Sequence, residues 1–288
     1  TLWHTLSLHD ALPISIELGR REARLLLADV APERLEAAAE AARAAGAAEV
    51  ITQPADVARI EAVEALAATA EARFGGAELL VNNAGVAVAG RVGEVPLDDW
   101  RWQLDVNLWG VIHGCHVFAP RFAAQGSGWI LNVASAAGLL SMPEMGPYNV
   151  TKSAVVALSR TTRVELGRSG VTVSVLCPSF FRSGLHETAR TSSTELSGAT
   201  ARLVTQARWS ADDVARVALR GLERGKLHVL PQLDARLFWA LHRLWPAGFQ
   251  RLVEWLYARD TLQRLARGDE AAPASAVRSR ASEPGGGR

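Results

Sequence analysis

The chain is poor in several things that would each announce a function class. Of its 288 residues only two are cysteine, Cys115 and Cys177. That is too few for the disulfide framework of a small secreted scaffold, and a reducing, cytoplasmic setting is expected. The 31 basic side chains are matched by 30 acidic ones, so no whole-molecule field recruits nucleic acid or an anionic surface. No stretch reaches the roughly 18 uninterrupted apolar residues of a spanning helix, and no basic segment followed by a long apolar one stands near the front, so neither export nor insertion is expected. Only two residues are lysine, Lys152 and Lys226, and only two are tyrosine, Tyr148 and Tyr257. An arginine- and alanine-rich composition of the kind a GC-rich genome encodes accounts for the scarcity. A fixed spacing between such rare residues still carries information.

What is present is 49% apolar residue content, enough for one globular domain. Short apolar runs alternate with longer segments of helical period, the pattern of a parallel sheet covered by helices on both faces. Strands are expected at Arg24 to Asp29, Val50 to Thr52, Glu78 to Val81, Trp129 to Val133, Val171 to Leu176 and His228 to Leu230. Helices are expected at Pro32 to Ala45, Val57 to Phe74, Leu97 to Ala124 and Tyr148 to Ser169, and from Ser210, with Asp213 three residues on in a capping signature, to about Arg224. Residues 183–208 are polar and turn-rich and read as a substrate loop. Residues 234–265 read as C-terminal helices broken at Pro246, and residues 269–288 as a disordered tail.

The sharpest signal is Tyr148-Asn-Val-Thr-Lys152, thirteen residues after Ser135. Four residues apart on a helix, the two side chains share a face, and a nearby ammonium favours the phenolate. That pair makes a usable general acid/base.

Around it stand NNAG at Asn82 to Gly85, DVN at Asp105 to Asn107, NVASAAG at Asn132 to Gly138 and CPSFFRS at Cys177 to Ser183. With these pieces in this order the chain resembles the short-chain dehydrogenase/reductase family from about Glu17 to Leu230. The resemblance implies a Rossmann-type doubly wound α/β fold and an oxidoreductase that passes a hydride between a nicotinamide cofactor and a secondary alcohol or ketone. It assigns Tyr148 as the proton donor and acceptor, Ser135 as the group holding the reacting oxygen, Lys152 as the ligand of the nicotinamide ribose, and Asn107 as the anchor of a water that links Lys152 to solvent. Asn83, Ala84 and Gly85 would line the adenosine side of the cofactor cleft, with Pro178, Phe181 and Ser183 near the nicotinamide. Ser179 stands where the family has glycine, a substitution expected to cost that turn its freedom. Asp29, at the end of its strand, would accept from the adenosine ribose and repel a 2′-phosphate, so NAD is expected in preference to NADP. Asp56 and Val57 would flank the adenine. A homodimer or homotetramer through the helices at 97–124 and 148–169 is implied by resemblance as well.

One element is missing. A dinucleotide fold needs a glycine-rich turn about 20 residues before its ribose-binding acid, yet the first glycine is Gly19. The first strand and the glycine turn are therefore expected to be missing or replaced. Thr5 to Ile14, TLSLHDALPI, is what one frame of a common sequencing-library adapter encodes, so residues 1–15 are expected to be foreign to the fold. The oxidoreductase domain is then 16–268, and cofactor binding by this literal chain is expected to be impaired.

Other readings compete. His113, Cys115 and His116 lie inside a helix without a carboxylate at ligand spacing, so no metal is expected. Trp239, Trp245 and Trp255 are expected to pack in the core or substrate pocket, with peripheral membrane contact the alternative. Leu140, Met142, Met145, Phe180 and Phe181 point to a small hydrophobic substrate. A catalytically silent nucleotide-binding protein, and an epimerase or dehydratase on the same framework, are the alternatives to the oxidoreductase.

Overall fold

The computed structural model describes residues 12–187, 189–191 and 202–259. In chain order the elements are α1 (Leu12–Gly19), β1 (Arg24–Asp29), α2 (Pro32–Ala44), β2 (Glu49–Pro54), α3 (Ile60–Phe74), β3 (Leu79–Asn82), the short β4 (Val88–Ala89), α4 (Leu97–Leu104), a π-helical turn (Asp105–Trp109), α5 (Gly110–Gln125), β5 (Gly128–Val133), the one-turn α6 (Ala137–Leu140), α7 (Gly146–Leu166), β6 (Val171–Leu176), β7 (Arg190–Thr191), α8 (Ala211–Glu223), β8 (His228–Val229), α9 (Leu233–Leu244) and α10 (Pro246–Ala258). The local causes are ordinary. Pro32 opens α2 with its ring-fixed φ, and Gly75 and Gly126 close α3 and α5 in the left-handed region. At α8 the Ser210 and Asp213 side chains cap reciprocally.

All the paired strands are parallel. Buried on both faces, β1 alternates between two cores. Leu25 and Leu27 join Leu79, Val81, Leu131 and Leu176, whereas Leu26 and Ala28 join Leu66 and Ala70 under α3. Among the described residues the sheet is in two parts, β2-β1 and β3-β5-β6-β8. The division falls where a doubly wound order places its first strand. One apolar cluster spans both parts and includes Ile14 and Leu18 of α1 and Val214, Ala218 and Leu222 of α8, so these two helices hold the sheet halves together.

Of the segment set aside in the sequence, residues 1–11 lie outside the described residues. Residues 12–15 open α1, and Ile14 and Ser15 are buried, so the described part of that segment packs as core. The helix expected over 97–124 is divided by the π-helical turn, and α3 begins at Ile60 because Asp56 accepts the amide of Ala58 in a local turn. Much of the substrate loop, residues 260–265 and the expected tail lie outside the described residues. No helix among the described residues is long and apolar enough to cross a membrane.

Candidate active site

Parallel strands deliver their carboxyl ends to one edge of the sheet, and α/β proteins bind ligands there. At that edge a cavity of about 300 Å³ is lined by Asn83 and Gly85 after β3, Ser135 after β5, Tyr148 and Lys152 of α7, and Pro178, Phe181 and Ser183 after β6. Eight of the residues to which the resemblance gave a catalytic or cofactor-binding role thus share one cavity.

Tyr148 and Lys152 lie one turn apart near the start of α7, and both are buried. The Lys152 ammonium stands 5.7 Å from the centre of the Tyr148 ring and donates to the carbonyl of Val133 at 2.9 Å. Gly85 in the loop after β3 faces this ammonium, and a Cβ built there would be in ordinary contact with Nζ at 3.5 Å. Ser135 accepts the amide of Ala137 at 3.2 Å and donates to the carbonyl of Pro178 at 3.4 Å. Those bonds hold the hydroxyl between the β5 and β6 loops. Asn107 is fully buried in the π-helical turn and bonds both ways to Val86, accepting its amide at 2.7 Å and donating to its carbonyl at 2.8 Å. The widened turn is the kind of irregularity that re-aims one side chain, often at a functional site.

A second, small cavity of about 20 Å³ is lined by Ala28, Val57, Asn83, Ala84 and Gly110 among others. Asp29 and Asp56 line neither cavity. The buried Asp29 carboxylate accepts the amide of Ala31 at 2.7 Å and an Arg34 guanidinium N–H at 3.1 Å. Arg34 was not anticipated, because a residue at the start of an exposed helix gives no sequence sign that it turns back to the strand end.

Ser179 departs from expectation. Its backbone is not in the left-handed region, so no glycine freedom is lost there. Its hydroxyl donates to the Asp234 carboxylate at 2.9 Å, and its amide donates to the Gln232 side chain at 3.1 Å, tying α9 to the loop after β6. Asp234, Ala235 and Phe238 of α9 consequently form a cavity wall, joined by Ile14 and Val214. Leu140, Met142, Met145, Phe180 and Phe181 line it as expected. Of the late tryptophans, Trp239 packs on the core and stacks on His228 at 5.0 Å, but Trp245 and Trp255 are more than half exposed, against the expected packing.

Burial pushes the Cys115 thiol up to about 11 and the Cys177 thiol up to about 12, so neither is a nucleophile at neutral pH. His113 sets its Nδ1 2.8 Å from the Val57 carbonyl oxygen.

The short chain dehydrogenase family model matches residues 11–194. This chain belongs to the short-chain dehydrogenase family. A Mycobacterium tuberculosis protein named as an oxidoreductase, SadH, is 31% identical over 244 residues, covering 83% of this chain and 88% of that protein. D-beta-hydroxybutyrate dehydrogenase of Rhizobium meliloti is 31% identical over 177 residues, 61% of this chain and 69% of that one. Among solved structures, a short-chain dehydrogenase/reductase from Burkholderia phymatum in complex with NAD superposes with a TM-score of 0.79 at 32% identity, covering 84% of this chain and 93% of that chain. Levodione reductase, 23% identical, supports the fold alone, with a TM-score of 0.72 over 80% of this chain and 95% of that chain. Membership in this oxidoreductase family and the Rossmann-type α/β fold are therefore established by independent routes.

Proposed function

We propose that the chain is a nicotinamide-dependent oxidoreductase acting on a hydrophobic secondary alcohol or ketone. The observation that carries this reading is one cavity holding Tyr148, Lys152 and Ser135 against an apolar wall of Leu140, Met142, Met145, Phe180 and Phe181. The donor set fits a nicotinamide nucleotide: a buried ammonium beside a glycine loop for ribose hydroxyls, and a small apolar crevice bounded by Val57, Asn83 and Ala84 on the adenosine side. When bound, that group supplies or takes up a hydride. The protein's own residues then position and move a proton. The Tyr148 phenol gives its proton to the carbonyl oxygen during reduction and takes it back from the hydroxyl during oxidation. Ser135 holds the reacting oxygen, Lys152 stabilises the phenolate, and Asn107 anchors the route by which the proton is replaced. Asp29 as acceptor for the adenosine ribose favours NAD, while the Arg34 guanidinium 3.1 Å from it offsets part of the repulsion of a 2′-phosphate.

Several further readings belong to the same proposal. Residues 12–28 contain one glycine, Gly19 at the end of α1, and thus no turn of clustered backbone N–H groups for a pyrophosphate. Weak NAD binding follows, and a micromolar Kd by calorimetry would overturn that part. Trp109 of the π-helical turn and Val150 and Val164 of α7 are exposed, in keeping with a homodimer or homotetramer through the helices at 97–124 and 148–169, and a cytoplasmic setting belongs to the same proposal. The central test is a screen of secondary alcohols and ketones at the reduced-nicotinamide absorbance band, with Tyr148→Phe beside the parent chain. Turnover confined to the parent supports the mechanism, and equal turnover in the variant removes it.

A further inference from the structure

Leu233, Leu237, Leu241 and Leu244 recur at spacings of four, four and three along α9 and so share one face of that helix. They are 65%, 61%, 37% and 86% exposed. The apolar surface continues through Trp245, at the corner between the two helices, to Leu252 and Trp255 of α10. This is not a helix packed the wrong way round. Ala235 is buried, Trp239 stacks on His228, and Arg236 donates to the carbonyls of Leu230 and Pro231, so the inward face is already engaged. Seven large apolar side chains exposed over two consecutive helices mark a contact surface.

The charge around the stripe says what kind of contact. Residues 233–259 carry four arginines against two acids, in a chain whose formal net charge is +1. Asp234 accepts from the Ser179 hydroxyl, and Glu254 accepts from Gln250 on its own helix. Arg243 lies over the Trp239 ring at 5.0 Å and Arg259 over the Trp255 ring at 4.0 Å. Exposed leucines and tryptophans flanked by arginines are the composition of a helix that lies in a membrane interface. A second copy seated on the same face by a two-fold would bring this arginine excess against itself, which favours a different occupant.

We propose that α9 and α10 dock on an anionic lipid surface. The leucine stripe enters the headgroup boundary, and Arg243, Arg251 and Arg259 meet lipid phosphates. The same helix serves the cavity: Phe238 lines it and is half exposed, as is Phe180 on the opposite loop. The helix that presents the docking face thus also presents a half-exposed phenylalanine to the cavity. If the oxidoreductase reading above holds, a lipid-dissolved alcohol or ketone enters without crossing bulk water. The docking surface itself does not depend on that reading.

The test is co-sedimentation of the full chain with vesicles of phosphatidylcholine alone and of phosphatidylcholine mixed with phosphatidylglycerol, at low and high salt, with neither cofactor nor substrate present. Two variants accompany it, Leu237→Gln with Leu244→Gln and Arg251→Glu with Arg259→Glu. All four positions are exposed, and thermal melting confirms that each variant folds. The parent is expected to pellet with the anionic vesicles. Partition should fall about tenfold or more on neutral vesicles, at high salt and in the arginine variant, since each surface cation contributes on the order of a factor of five. The leucine variant should lose binding to both vesicle types. A parent chain that stays in the supernatant with anionic vesicles overturns the proposal, as does binding that neither variant weakens. A larger particle by light scattering that only the leucine variant breaks down would assign the face to a second copy and overturn it equally.

Discussion

Replacing Gly138 with alanine sets two effects of known size against each other. Gly138 lies in α6, pressed on the helix that carries Tyr148 and Lys152. A Cβ there would stand 2.6 Å from both the carbonyl carbon and oxygen of Lys152 and 2.9 Å from the Ser153 amide nitrogen. These are backbone atoms inside α7 and cannot swing aside. Ordinary contact begins at 3.4 Å, so α6 must retreat by about 0.8 Å, straining the bond that Ser153 donates to the Gly138 carbonyl. Helix propensity alone makes alanine the better residue by about 1 kcal/mol. Overpacking against a fixed backbone costs about 1–3 kcal/mol and wins. The melting temperature should fall by several degrees, at roughly 2–4 °C per kcal/mol for a domain of this size. The retreat also carries Ser135 away from Tyr148, and a displacement near 1 Å in a catalytic constellation costs on the order of 100-fold in rate. Differential scanning calorimetry and kcat on whichever alcohol the screen identifies measure the two consequences separately. A raised melting temperature with kcat within about twofold of the parent would show that the α6–α7 contact does not position Ser135.

Three other expectations follow from the structure. Tyr257→Phe removes the hydroxyl that donates to the part-buried Glu144 carboxylate at 2.9 Å, and unfolding titrations should show a loss of about 1 kcal/mol, with KM raised more than kcat is lowered because Met142 and Met145 flank that acid on the cavity wall; an unchanged KM would detach the C-terminal helix from substrate binding. Cys115 and Cys177 should both resist iodoacetamide at neutral pH in the native protein and both react in denaturant, as mass spectrometry would read directly; rapid native labelling of either contradicts the burial that raises them to about 11 and 12. His228 is held below its ordinary value chiefly by desolvation and then by Arg160 and Arg243, so below about pH 6.5 the unfolded chain takes up a proton that the folded one refuses, and stability falls with pH from there down to the lower folded value. His228→Gln should flatten that acid limb, and an unaltered slope would refute the assignment.

Much of the site was legible because it is carried by residue types at fixed spacing. Tyr148 and Lys152 sit four apart on a helix, and Ser135 follows a strand whose apolar run is unmistakable. The strands themselves were readable because both faces are buried, which turns RLLLAD into a nearly continuous apolar run, while VTVSVL shows itself by its β-branched residues. What could not be read depends on contacts between distant segments. The π-helical turn exists where Asn107 bonds both ways to Val86, 21 residues away, and no helical period announces it. Ser179 looked like a strained departure, whereas Asp234, 55 residues on, gives its hydroxyl a partner. Amphipathicity marked residues 234–265 as helical but could not say which face meets the cavity, and so it misplaced Trp245 and Trp255.

The scarcity of tyrosine acquires a second meaning from the loop that precedes α7. Ser141 and Glu144 both sit in the left-handed region, with φ of 53° and 59°, each at a cost on the order of 1–3 kcal/mol for a residue that is not glycine. Such a conformation persists only where its surroundings dictate it. Here Asn149 donates to the Met142 carbonyl at 2.6 Å, Gly90 donates to the Glu144 carbonyl at 2.7 Å, and Tyr257 reaches in from α10 to the Glu144 side chain. One tyrosine thus closes the loop from the C-terminal helix, and the other follows Glu144 by four residues on α7. Met142 and Met145 project from the same loop into the cavity. The cavity wall formed by Met142 and Met145 is therefore tied to α10 through the Tyr257 hydroxyl, with Arg91 a second partner of the same Glu144 carboxylate at 3.4 Å.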